Sequence, residues 1–385
     1  MNDSKKRYSE YFLLSVLLIA PKVDLISFQN IYQGIRLEDL VVLYLAYILI
    51  YFKKVEIRKQ DTGYNFILYF FIYLTSCMIV SVYLPQQWII LIRYIEYIVI
   101  IIYFNRNLVD IDTIFKILKV YLILNLIMVV LQQSSLIGEF SSLGYESPLN
   151  KSDDRPTGLT GGPWELANCS AIIFFCILLD KKQSQFSKIL FSLIALFLIY
   201  ITHSRTVMVS ISVVIAFYFF QKNLHRKQLF PTLVLLLVGT LIAYYTIIQN
   251  LNPIYTQVPK ILMDAIVNNE VVSVSNLDGR LWSMAFRMKY WLEFYRVYET
   301  NLITNIFGIG AYGLYMESTL LRVFFGGGLV GTIFVLYSIR KIPLYMLLYL
   351  FISGLTLDLM MSFKIFCTVF IYFYLIKNVS YENRN

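Results

Sequence analysis

The feature that most constrains this chain is a recurring run of about 20 mostly apolar residues, the length a helix needs to cross a hydrocarbon core. One run reads "FILYFFIYLTSCMIVSVYL" and another "IFKILKVYLILNLIMVVLQ". Lipid offers no partner to backbone N–H and C=O groups, so segments spaced this closely predict helices. Twelve spans follow, near 9–28, 36–52, 64–84, 87–104, 113–134, 167–180, 186–202, 206–221, 230–249, 312–338, 341–357 and 360–377. Eleven is the near alternative, because Pro21, Lys22 and Asp24 interrupt the first run and Gly and Asp fall near others. Only 15% of the 385 residues are charged and the mean hydropathy is +0.65. A soluble domain carries about 25% charged residues. The expected fold is therefore an all-α polytopic integral membrane protein, a single transmembrane domain over 1–385.

Charge sets the expected orientation. With the N-terminus inside, the cytoplasmic segments hold 20 of the 33 basic residues, beginning with Lys5, Lys6 and Arg7, and the opposite side holds 11. An excess of Lys and Arg on short loops marks the cytoplasmic face, so both termini are expected inside. The net charge of +9 reflects this distribution and forms no single basic face for nucleic acid. Cys77, Cys169, Cys176 and Cys367 lie in apolar runs and read as packing residues. His203 and His225 fall on separate loops, so no metal site is expected, and no cofactor. "MNDSKKRYSE" runs into "YFLLSVLLIAP" without a small-residue cleavage site, so the N-terminus reads as an anchored span.

Two segments break the apolar pattern, 135–166 and 250–311, and this topology puts both outside. Loops this long with no fold signal of their own are functional or disordered. In the longer one, "DGRLWSMAFRMKYWLEFYRVY" has apolar residues at 281, 282, 286, 288, 291, 292 and 295, which predicts an amphipathic helix at the outer interface. The shorter one holds "RPTGLTGGPWELAN", Arg155 to Asn168. Its glycines allow close backbone approach to a ligand, and Pro163 suits a first helical position whose amides point outward. A plain turn into a helix explains the same residues.

Four outward arginines run against the charge bias: Arg155, Arg205 in "THSRT", and Arg280 and Arg287, seven apart on the predicted interfacial helix. Each presents a planar cationic fork suited to phosphate. Singly, attraction to lipid headgroups or a local ion pair accounts for such a residue. Together, around the two large loops, they suggest a shared anionic ligand. Glu317 stands at the outer end of the tenth span, with Arg322 five residues on, about 7.5 Å deeper. Partial burial would suit Glu317 to general-base work and Arg322 to positioning a ligand, whereas pairing with each other or with neighbours is the plain reading. Arg93 and Glu96, three apart in one span, read as a self-satisfied ion pair. Glu165 and Asp358 are weaker carboxylate candidates. Tyr145, Trp164, Trp282 and Trp291 could stack on sugar rings, though nothing singles them out.

Taken in order, "GIRLEDLVVLYLAYIL", "RPTGLTGGPWELANCSAII", "THSRTVMVSISVVI", "DGRLWSMAFRMKYW" with "NIFGIGAYG", and "ESTLLRVFFGGGLVG" resemble the Wzy family of O-antigen and capsular polysaccharide polymerases. That family shares a superfamily with the O-antigen ligases, and the resemblance covers nearly the whole chain. It implies a metal-independent glycosyltransferase of the C-type membrane architecture in a bacterial cytoplasmic membrane. The enzyme would move an undecaprenyl-diphosphate-linked glycan onto the next lipid-linked repeat unit at the outer face. Arg155, Arg205 and Arg280 then take the places of arginines that hold the lipid diphosphate or the growing glycan. Glu317 stands where the ligases carry a histidine, which favours a polymerase. The implied partners are lipid-linked repeat units and membrane lipid, with a chain-length regulator as the candidate protein partner.

The chemistry is compatible with that resemblance. Breaking a glycosyl–diphosphate bond releases an anion that must be stabilised where its charge develops, and arginines are the cations on hand. A ligase-type transferase with another acceptor is the first alternative. A lipid-linked oligosaccharide flippase is the second, although no inverted repeat of broken spans is evident.

Overall fold

A computed structural model describes residues 3–28, 33–51, 68–69, 71–73, 75, 85–106, 110–141, 144–146, 155–223, 291, 302–308, 318–339, 342–360 and 362–382. Most of these residues are helical. In chain order come α1 (Asp3–Ile19), β1 (Asp24–Phe28), β2 (Gln33–Arg36), α2 (Leu37–Tyr51), α3 (Pro85–Arg106), α4 (Ile111–Gln133), β3 (Glu139–Ser141), β4 (Gly144–Glu146), α5 (Pro163–Leu179), α6 (Gln185–Ile201) and α7 (Arg205–Asn223). After them follow α8 (Leu302–Phe307), α9 (Thr319–Leu321), a π-turn (Arg322–Gly326), α10 (Gly327–Ile339), α11 (Leu344–Thr356) and α12 (Phe363–Glu382). Among the described residues, two stretches are long and apolar enough to cross a membrane, Ile111–Gln133 and Thr319–Tyr337, and several shorter helices, among them α5, α6 and α11, are also apolar.

Local chemistry sets the helix ends. Asp110 caps α4 by accepting from Thr113 N at 3.1 Å, and Ser184 caps α6 by accepting from Ser187 N at 3.3 Å. Pro163 opens α5, where its missing N–H loses no helical bond. The first apolar run behaves differently from the expectation. α1 ends at Ile19, and 24–28 pairs with 33–36 as an antiparallel hairpin instead of extending the helix. Pro21 cannot continue the hydrogen-bond ladder and disfavours the helical conformation at Ala20, so the chain turns there.

The chain forms two compact units. The first comprises Met1–Val209, Phe334–Ile342 and Leu359–Asn385, and the second Ser210–Ile333 and Pro343–Asp358. In the first unit α5 is central, with every residue from Glu165 to Ile177 buried. Tyr97 of α3 stacks on Phe366 of α12 at 3.9 Å between ring centroids and donates to Met360 O at 2.8 Å. α6 has the opposite character on one face: Phe186, Ile189, Leu193, Phe197 and Tyr200 recur at helical spacing and are exposed. A continuous apolar face left open suits acyl chains better than water.

Polar contacts fix the helix directions in this unit. The C-terminal ends of α1 and α4 meet the N-terminal ends of α2, α3, α5 and α12, as the bonds described in the next subsection require. At the other end, Lys119 of α4 reaches Asp180 after α5 at 3.5 Å, and Lys182 reaches Asp112 at 3.2 Å. In this unit α1 and α4 therefore run opposite to α2, α3, α5 and α12.

The second unit contains a broken helix. α9 passes into the π-turn, and Gly328 then leaves helical geometry at φ 58°. Its Cα faces Gly308, also at positive φ, so closely that a Cβ on Gly328 would lie 2.4 Å from Gly308 N and 2.6 Å from Ile306 O. Glycine is required on both sides of this contact. The glycines of "GGGLVG" thus allow a close backbone approach, through a helix break against the end of α8.

Candidate functional site

The most developed polar site in the first unit is built around the segment 155–165. This segment lacks regular structure until α5 begins, yet residues 156–160 are buried. Buried backbone must find partners, and here side chains from distant elements supply them. Gln132 Oε1 accepts from Thr157 N at 3.1 Å and Gly158 N at 2.8 Å, while its Nε2 donates to Gly158 O at 3.1 Å and Gly138 O at 3.2 Å. Asn125, seven residues earlier on the same face of α4, accepts from Leu159 N at 2.9 Å. Thr160 N donates to Thr157 O at 3.1 Å, and Gly161 N to Glu165 Oε2 at 2.7 Å. Gly158 adopts φ +58°, which an L side chain resists.

These bonds revise the reading of "GLTGGP". Its amides from 157 to 161 are bonded to the protein itself, so they do not form an open anion cradle. The segment 135–166 also has structure of its own, because β3 and β4 pair as a short hairpin before the clamped stretch.

Charged groups close the site from other directions. Lys364, 1% exposed, donates to Leu159 O at 2.7 Å and to Ala20 O at 2.5 Å. Lys22 meets Glu165 at 3.3 Å, and the Ser362 hydroxyl donates to the other Glu165 oxygen while capping α12 through Ile365 N. Nearby, Arg93 binds both Asp39 and Glu96 at 2.8 Å and lies 5.4 Å from the Phe363 ring centroid. The expected Arg93–Glu96 pair is present, with Asp39 as a further partner. Arg36 lies 3.9 Å from Glu38. Lys22, Arg36, Arg93 and Lys364 thus share one end of the unit with Glu38, Asp39, Glu96 and Glu165. The charges balance, which limits the cost of burying them. The carboxylates Glu38, Asp39 and Glu165 also occupy first turns of their helices, where the dipole favours them.

The anticipated ligand-binding residues are placed as follows. Arg155 is exposed at the lip of the clamped segment, separated from buried Thr157 by buried Pro156. Arg205 is exposed at the first position of α7, after a turn in which His203 adopts φ 50° and Thr202 Oγ1 donates to Ile199 O at 2.7 Å. Arg322 is buried at the start of the π-turn in the second unit, where its Nε donates to Asp358. Ser318 Oγ donates to Gly354 O at 3.0 Å and Thr319 N to Leu357 O at 3.1 Å, holding the entry to α9 beside Asp358. Glu317, Arg280 and Arg287 lie outside the described residues, as do Cys77, His225 and Trp282. Cys169, Cys176 and Cys367 are buried and free.

Sequence reasoning counted Lys22 and Lys364 only as outward basic residues and passed over Gln132 and Asn125. The available signal was a lysine at the second position of a helical apolar run, and two amides one face apart inside another.

No protein-family model matches this chain, and no curated protein does.

Proposed function

We propose that this chain is a metal-independent polysaccharide polymerase that works at the outer face of a bacterial cytoplasmic membrane. In this reading twelve spans build a C-type glycosyltransferase architecture with both termini cytoplasmic and the segments 135–166 and 250–311 outside. The donor is a glycan on undecaprenyl diphosphate, and the acceptor is the next lipid-linked repeat. An acceptor hydroxyl attacks the anomeric carbon, the bond to the diphosphate breaks, and the hydroxyl proton passes to the Glu317 carboxylate. Arg155, Arg205 and Arg280, with Arg287, balance the charge of the departing lipid diphosphate, and Arg322 positions the segment that carries the base.

The observation that carries this reading is Arg155, an exposed residue at the edge of a segment whose amides from Thr157 to Gly161 are all bonded within the protein. A charge held by a rigid frame stabilises developing charge without reorganising first. Loss of one such donor costs about 10²–10³ in rate, and loss of a general base about 10²–10⁴. Arg155→Ala or Arg280→Ala should therefore leave single repeats on the surface lipid and abolish long chains in gels of surface polysaccharide. Normal chain-length ladders from both variants would remove the arginines from the mechanism. Purified Glu317→Gln that elongates lipid-linked repeats at the parent rate would restrict Glu317 to a structural role.

A further inference from the structure

We infer that Lys364 is a positioning residue for Arg155, and that it acts on glycosyl transfer without touching substrate; this rests on the polymerase reading above. The stretch that matters is the backbone of 157–161. Each of its amides has a partner, from Gln132, Asn125, Thr157 O or Glu165. Thr157 O receives Thr160 and Gly158 O receives Gln132. Leu159 O is satisfied by the Lys364 ammonium at 2.7 Å. Within this short stretch, Lys364 is the one tie to α12, and the same ammonium holds Ala20 O at the end of α1.

A lysine is an expensive choice for this task. Its charge is 1% exposed in an apolar helix, where a neutral side chain would be cheaper to bury. What the ammonium adds is reach and strength: a charged donor binds two carbonyls from different elements at once. The carboxylates acting on it are Glu38 and Glu165, which keep the ammonium from being an isolated charge.

The route from Lys364 to Arg155 is short and stiff. Leu159 follows Gly158 and Thr157, both fixed by Gln132, and Pro156 joins them to Arg155. Proline fixes its own φ and confines the preceding residue to extended backbone. Arg155 therefore takes its position from the clamp, with little freedom in the joint between them. Small displacements of a charged group at a reacting centre have large effects on rate.

A double-mutant cycle tests this, read as turnover of lipid-linked repeats by purified protein in lipid nanodiscs with radiolabelled donor. Lys364→Met should lower kcat/KM by about 10–100-fold in the parent, and by less than about twofold in the Arg155→Ala background. The same factor in both backgrounds would overturn the inference, because a general structural role adds to the loss of Arg155. An unchanged parent rate after Lys364→Met would also overturn it. Parent-like turnover by Arg155→Ala alone would instead overturn the functional reading of Arg155, and the inference with it. If Lys364→Met does not assemble, Gln132→Leu supplies the same cycle with a neutral residue, with the same expectation and the same contrary result.

Discussion

Replacing Gln132 by leucine is the most direct test of the clamp. The substitution keeps the size of the side chain and removes the bonds accepted from Thr157 N and Gly158 N, together with those donated by Nε2 to Gly158 O, Gly138 O and, at 3.5 Å, Thr157 Oγ1. Both amides are then left buried without a partner, and each orphaned group costs about 1–3 kcal/mol. The carbonyls suffer less, since each has a second lone pair, and some relaxation will occur. We expect about 3 kcal/mol less local stability, or roughly a hundredfold shift in the opening equilibrium of 157–159. Hydrogen exchange read by mass spectrometry on a peptide covering these residues measures that equilibrium in detergent or nanodiscs. Ser134→Ala is the control, because that exposed hydroxyl bonds the neighbouring Leu131 O and not the clamped segment. An exchange rate within about threefold of the parent would refute the claim that Gln132 holds this backbone.

Further substitutions probe the glycines and the buried pair. Gly158→Ala forces an L side chain into φ +58° and places its Cβ 2.4 Å from Asn125 Oδ1, for an expected loss of about 2–4 kcal/mol. Gly161→Ala meets the flexible Lys22 side chain instead, so its melting midpoint in detergent should fall less; equal midpoints would count against this account. Arg322→Leu leaves Asp358 buried without its guanidinium and should cost about 3–5 kcal/mol, whereas Arg322→Leu combined with Asp358→Leu should recover part of that loss. Strictly additive losses in thermal unfolding would show that the pair is not coupled.

Much of the helical layout was legible in the sequence. The run placed near 113–134 is Ile111–Gln133, and the run near 186–202 is Gln185–Ile201. Hydrophobic length is a local property, and so are the caps at Asp110 and Ser184 and the opening proline at Pro163. The first run, expected over 9–28, ends sooner: Leu25, Ile26 and Phe28 resume its apolar composition after Pro21, Lys22 and Asp24, but backbone chemistry at Pro21 stops the helix at Ile19. The Arg93–Glu96 pair was legible for the same reason as the helices, since a spacing of three fixes proximity on one element. Asp39, the further partner, belongs to another helix and gave no local sign.

Composition and periodicity alone determined that this chain is built of apolar helices, because every residue in such a run reports on its own solvent. Only the tertiary structure decided that Lys364 meets a carbonyl 205 positions away and that Ser362 meets a carboxylate 197 positions away. Those pairings come from which helix ends converge, and nothing in a single apolar run records its neighbours. The clamped segment shows the consequence: its glycines look open to a ligand until side chains from other helices take up its amides.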